Sequence, residues 1–221
     1  VDGPDALAHT NTFGLPPGDR VVVGGTNGLA VVEPLTGMVP SVGNASLAFL
    51  NLPGFSNLIG ALVIQHPTVA EQDAFFGYGT NTGFARVYVP QNQDFGSTLL
   101  LGSGFTDAVH LGNDPAQEAI AVRSSGGGAI VRFEFVDFGG GQFFPAASSF
   151  IAASTFSGIG TPISAYADPT SSRVLVALAG APGKLVIADP ALQAPFGTVT
   201  VGDLGDDPRR VRCLAGVCAI S

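Results

Sequence analysis

The chain has 221 residues, 46% of them hydrophobic and 12% charged, with 31 Gly and 16 Pro. That is enough apolar chain to bury a sizeable core, and the Gly and Pro content suits many tight turns rather than long helices. A net charge of -8, with 9 basic against 17 acidic residues, argues against nucleic acid as a general partner, because phosphate binding needs a Lys/Arg footprint.

The predicted elements are short and all of one kind. ALAHTNTF (6–13) reads as a first, inner strand. It precedes VVVGGTNGLAVVEP (21–34), two apolar runs about a Thr-Asn-Gly turn, and then SLAFLNL (46–52). The set recurs. ALVIQHP (61–67) leads into AFFGYGTNTGFARVYVP (74–90) and STLLLGS (97–103). AVHLGNDP (108–115) leads into AIAVRSSGGGAIVRFEFV (119–136) and FFPAASSFI (143–151). ISAYADP (163–169) leads into VLVALAGAPGKLVIADP (174–190) and GTVTVGD (197–203). VAEQDAFF (69–76) is the one helix-like stretch, and it is short. DDPRRVRCLAGVCAIS (206–221) reads as the first two strands of a further unit.

Gly28, Gly83, Gly128 and Gly183 open the second run of each hairpin, at steps of 55, 45 and 55 residues. Tight hairpins need positive φ at one or more positions, which is the expected job of these glycines. A unit of four short strands at this period is that of a β-propeller blade, which buries its faces only by packing on its neighbours. The expectation is an all-β propeller of four-stranded antiparallel blades, about four and a half of them, over a single domain 1–221. Its last blade would be completed by a further segment, by a partner or by the N-terminal strand. A β-sandwich is the rival. Phe75, Phe76, Phe133, Phe135, Phe143 and Phe144 are expected in the layers between blades.

VVVGGTNGLAVVEPLTG and VLVALAGAPGKLVIADPALQ resemble the repeats of YVTN-type or lactonase-like β-propellers, in Val31-Val32-Glu33-Pro34-Leu35-Thr36-Gly37 and Val186-Ile187-Ala188-Asp189-Pro190. The resemblance implies the architecture. A lactonase-like hydrolase with a site at the channel mouth is an alternative it brings in by analogy of fold.

On this alignment the inner strands carry His66, Asp107, His110, Tyr166 and Asp168, which are the candidate channel-mouth binding residues. The two histidines could ligate a metal or move protons, but they fall at different places in their repeats, and the preferred reading is a hydrogen-bonded structural role. No catalytic set, metal site or cofactor is predicted. Ser124 to Ala129 (SSGGGA) lacks the Lys and Ser/Thr of a phosphate loop and precedes a strand. Asp114-Pro115, Asp168-Pro169 and Asp207-Pro208 read as turns. Arg209, Arg210 and Arg212 read as an edge paired with Asp206 and Asp207.

Cys213 and Cys218 would face each other across a hairpin whose loop is 214–217. They form a disulfide there or remain core thiols. A disulfide points to an extracytoplasmic setting: periplasmic, secreted or cell surface. Asn44-Ala45-Ser46 is a glycosylation sequon. No apolar run is long enough for a membrane span, and no signal peptide is visible in a sequence beginning at Val1. The function expected is a non-enzymatic binding or interaction scaffold for a protein or glycan partner. The alternatives are the hydrolase and a structural subunit of an extracellular assembly.

Overall fold

The computed structural model describes residues 6–8, 20–25, 28–32, 36–39, 41–42, 45–46, 48–50, 58–68, 74–79, 83–89, 94–95, 99–111, 118–124, 128–139, 143–168, 173–188, 198–199, 208–214 and 217–220. The sequon at Asn44, the turn residues Thr26, Asn27, Asn81, Gly126 and Gly127, and the Asp114-Pro115 pair lie outside them. So do Pro169, Asp206, Asp207, residues 33–35 and 189–190, and the side chains of Phe75, Phe143 and Asp168.

Among the described residues, five sheets follow one another along the chain as successive antiparallel meanders, with a sixth, two-stranded one set within the first. The first is β1 (Ala6–Ala8), β2 (Arg20–Gly25), β3 (Gly28–Val32) and, beyond a small hairpin of β4 (Ser41–Val42) and β5 (Ala45–Ser46), β6 (Ala48–Leu50). The second is β7 (Gly60–Ile64), β8 (Ala74–Tyr78) and β9 (Gly83–Val89), whose outer edge takes both β10 (Asp94–Phe95) and β11 (Leu99–Gly102). The third is β12 (Phe105–Leu111), β13 (Glu118–Arg123), β14 (Gly128–Asp137) and β15 (Phe143–Ala152). The fourth is β16 (Thr161–Asp168), β17 (Arg173–Ala179), β18 (Lys184–Ala188) and β19 (Thr198–Val199). A two-stranded sheet, β20 (Val211–Leu214) and β21 (Val217–Ile220), comes last.

The first strands of successive sheets are neighbours: β7 packs on β1, β12 on β7, β16 on β12 and β20 on β16. This is the blade order of a β-propeller, with each blade's first strand on the inside. The helix-like stretch at 69–76 does not form a helix where it is described, because Ala74 to Phe76 are paired in β8. Among the described residues the one helical turn is a 3₁₀ turn, Ala153–Phe156, joining the third blade to the fourth.

Strand alternation builds the core. In β13, Ala119 and Ala121 face the second blade while Ile120 and Val122 face the fourth. Phe133 and Phe135 of β14 join Phe76, Tyr78 and Phe105 in the layer between blades two and three. Phe76 meets Phe105 edge to face at 5.7 Å and Phe133 at 5.1 Å. The next layer joins Ile130, Ile151 and Phe156 to Val174, Val176 and Leu178. Each such side chain contributes about 1.5–3 kcal/mol by leaving water. No blade has both faces covered until its neighbours are in place.

Two expectations are corrected. Phe144 is not an interblade filler: it is 45% exposed and stacks edge-on with exposed Phe138. It sits on β15, which ends its sheet among the described residues. Gly183 does not supply positive φ to its turn. A Cβ there would lie 2.5 Å from Cγ and Cδ of Pro208, so this glycine admits the next sheet's approach.

Candidate functional site

The inner strands carry one polar network that ties three sheets together. Asp107 on β12 and Ser164 on β16 occupy equivalent places: each is the first paired residue after a register shift near the start of its inner strand. A bulge re-aims the side chain that follows it. Here it turns both toward the next blade.

Asp107 is 1% exposed. Its Oδ1 accepts from the Ala108 amide at 3.0 Å and from Arg212 Nη2 at 3.1 Å. Its Oδ2 accepts from the Ser164 hydroxyl, the Ala165 amide at 3.2 Å and Arg212 Nη1 at 3.1 Å. Ser164 in turn accepts from the Val211 amide at 3.2 Å. Arg212 Nη1 also donates to the Ala165 carbonyl at 3.1 Å. A buried carboxylate is tolerable only when paired and fully hydrogen-bonded, and the planar fork of Arg supplies the bidentate half.

Arg212 therefore belongs to a long-range ion pair with Asp107; the expected partners Asp206 and Asp207 lie outside the described residues. Neither Arg212 nor Ser164 was a candidate from the sequence. The one available signal was an Arg on a predicted inner strand, and it was absorbed into the charge run around it.

The histidines are placed apart in role. His110 on β12 donates Nε2–H to the Val63 carbonyl of the neighbouring inner strand at 2.7 Å. His66, just beyond β7, is buried and tilts against the Phe135 ring at 4.8 Å. Its Nδ1 accepts the Thr68 amide at 3.2 Å, which makes Nε2 the protonated nitrogen of the neutral ring. Burial holds its pKa below the ordinary 6.5. Tyr166 is half-buried on β16, and Asp168 ends that strand opposite Arg173. Among the described contacts Asp107 is the candidate that enters the network, and the side chain of Asp168 lies outside the described residues. No group of three or more His, Cys, Asp or Glu among the described residues is placed to hold a metal.

Cys213 and Cys218 are directly opposed in the β20–β21 hairpin and form a disulfide. Gly183 and the Asp107 network hold that hairpin against the fourth blade from two directions.

A cleft of about 510 Å³ opens where the third blade meets the fourth. Arg123 and Ser124 at the end of β13 form one wall, Ser154 and Ser157 of the connecting turn another, and Thr161 and Pro162 the start of β16. Its rim is braced by the Ser124 amide and hydroxyl, both donating to the Gly104 carbonyl, at 2.7 and 3.2 Å. Gly160, at φ +140°, lets the connecting turn pass where a Cβ would meet the Ala179 carbonyl at 2.7 Å.

No protein-family model matches the chain. No curated protein matches it significantly. Among solved structures, dihydro-heme d1 dehydrogenase NirN in complex with DHE is 13% identical, with TM-score 0.51, over 82% of this chain and 35% of its own. A Bacteroides uniformis protein assigned by name to the 6-phosphogluconolactonases is 11% identical, with TM-score 0.51, over 96% of this chain and 60% of its own. The chain thus spans less than two thirds of the length of either. At these identities the likeness concerns the fold alone, and that fold is the β-propeller.

Proposed function

We propose that this chain is an extracytoplasmic binding module in which the inner-strand polar residues assemble the blades and the loops at the mouth recognise a protein or glycan partner. The observation that carries this reading is the state of Asp107. A general acid or base must reach a reacting atom. Here five donors surround the carboxylate, and it is 1% exposed. His110 is likewise engaged with a neighbouring strand. The Cys213–Cys218 disulfide supports the extracytoplasmic setting. No helix among the described residues is long and apolar enough to cross a membrane.

The test is binding by the immobilised chain to polysaccharides and secreted proteins of the source organism. Replacing exposed loop residues at the mouth should abolish retention without lowering Tm. Turnover of a lactone or ester panel by the wild type, lost in His110→Ala with Tm unchanged, would overturn the reading in favour of a hydrolase.

A further inference from the structure

The last sheet is a hairpin whose two strands are held in different ways. β20 is fastened to the body of the protein. Val211 is fully buried, and its amide donates to the Ser164 hydroxyl at 3.2 Å. Arg212 binds both carboxylate oxygens of Asp107 and the Ala165 carbonyl. Pro208, just before the strand, is buried against Gly183. The strand packs on β16 and β17 of the fourth blade.

β21 has a different environment. Among the described strands it pairs with β20 alone. Val217 is 74% exposed, Cys218 and Ala219 are exposed, and Ile220 is half-buried. A lone two-stranded ladder is marginal in water, and the pairing here is short, from Val217 to Ile220. The Cys213–Cys218 disulfide adds a covalent tie from the anchored strand to the exposed one. Cys213 is half-buried and Cys218 exposed, so a thiol in solution can approach the bond from the β21 side with every blade still folded. The chain's two cysteines are both in this bond, and no third thiol competes for either.

We propose that the Cys213–Cys218 disulfide is a redox-sensitive latch: a dithiol opens it in the folded protein, β21 comes off β20, and β20 stays clamped by Arg212 on Asp107. A thiolate of the dithiol attacks Sγ of Cys218, the S–S bond breaks, and Cys213 leaves as a thiolate that takes up a proton. The second thiol of the reductant then attacks the mixed disulfide, closing the reductant's own disulfide and releasing Cys218 as a thiol. Two electrons and two protons pass from the dithiol to the protein. The consequence is an open edge on β20, the kind of surface to which an extended segment adds as a further strand. The latch does not depend on what the module binds.

The experiment is hydrogen exchange of the full chain, followed by mass spectrometry, before and after treatment with dithiothreitol in buffer without denaturant. Thiol counting runs alongside. The expected result is two free thiols per chain, and β21 amides that exchange about tenfold faster or more once the cross-link is gone. Amides of β20, β12 and β16 should keep their protection, and reoxidation should restore that of β21. The double variant Cys213→Ser, Cys218→Ser should match the reduced chain. If that variant does not fold, the reduced wild type carries the comparison by itself. Thiols released only in unfolding urea, β21 protection unchanged by reduction, or loss of β20 protection together with that of β21 would each overturn the proposal.

Discussion

Arg212 crosses 105 residues of sequence to hold both carboxylate oxygens of Asp107, each at 3.1 Å. The bond spans three consecutive blades, because Ser164 lies between them and joins both. It fastens the last hairpin to the body of the propeller at the inner strands.

Removing Arg212 leaves Asp107 buried with only neutral donors. Breaking a fully buried pair costs about 3–5 kcal/mol, but water can reach part of this site, since the Arg212 side chain is 40% exposed. Arg212→Ala is expected to cost about 2 kcal/mol in urea unfolding. In a double-mutant cycle with Asp107→Asn the coupling should be about 1 kcal/mol or more. Additive effects would mean that the two residues do not act as a pair.

Gly183 and Pro208 give a second test of how the last sheet is seated. Gly183→Ala places a Cβ 2.5 Å from the proline ring, and such overpacking costs about 1–3 kcal/mol. Pro208→Ala removes the ring atoms in the way, so the double variant should recover much of that loss. If Gly183→Ala is equally damaging with Ala at 208, the cause is backbone conformation and not contact.

The aromatic layers make a third. Phe133 is 1% exposed between blades two and three, whereas Phe144 is 45% exposed. Phe133→Ala is expected to cost about 3–5 kcal/mol. Phe144→Ala should stay within about 0.5 kcal/mol, measured by the same urea midpoint.

These cases show what the sequence carried. Alternation in Ala119 to Val122 is local, so the strands and their two buried faces were readable from it. The opposition of Cys213 and Cys218 was readable for the same reason, since it depends only on a short hairpin. Phe133 and Phe144 have the same chemistry on adjacent strands, and what separates them is which strand ends the sheet. Gly183 needs Pro208, and Asp107 needs Arg212, because blade packing brings together residues that strand patterns treat as independent. The network was illegible because its partners lie on different tiles of the repeat. His66 was singled out from its place on an inner strand, but the ring it packs against, Phe135, belongs to the next blade.

That histidine sets a pH dependence. Burial lowers the folded pKa of His66 below the 6.5 of the free side chain. Below about pH 6.5 the unfolded chain therefore binds a proton that the folded chain resists, so unfolding gains as pH falls. The stabilising effect of keeping the ring neutral is fully present above that pH and is lost progressively as pH drops toward the folded pKa. His66→Asn keeps an acceptor for the Thr68 amide, in the manner of an Asx turn, but does not titrate. Urea midpoints taken from pH 7.5 down to 5 should fall more steeply for wild type than for the variant. Parallel curves would show that His66 is protonated as readily folded as unfolded, and would remove it as a source of acid sensitivity.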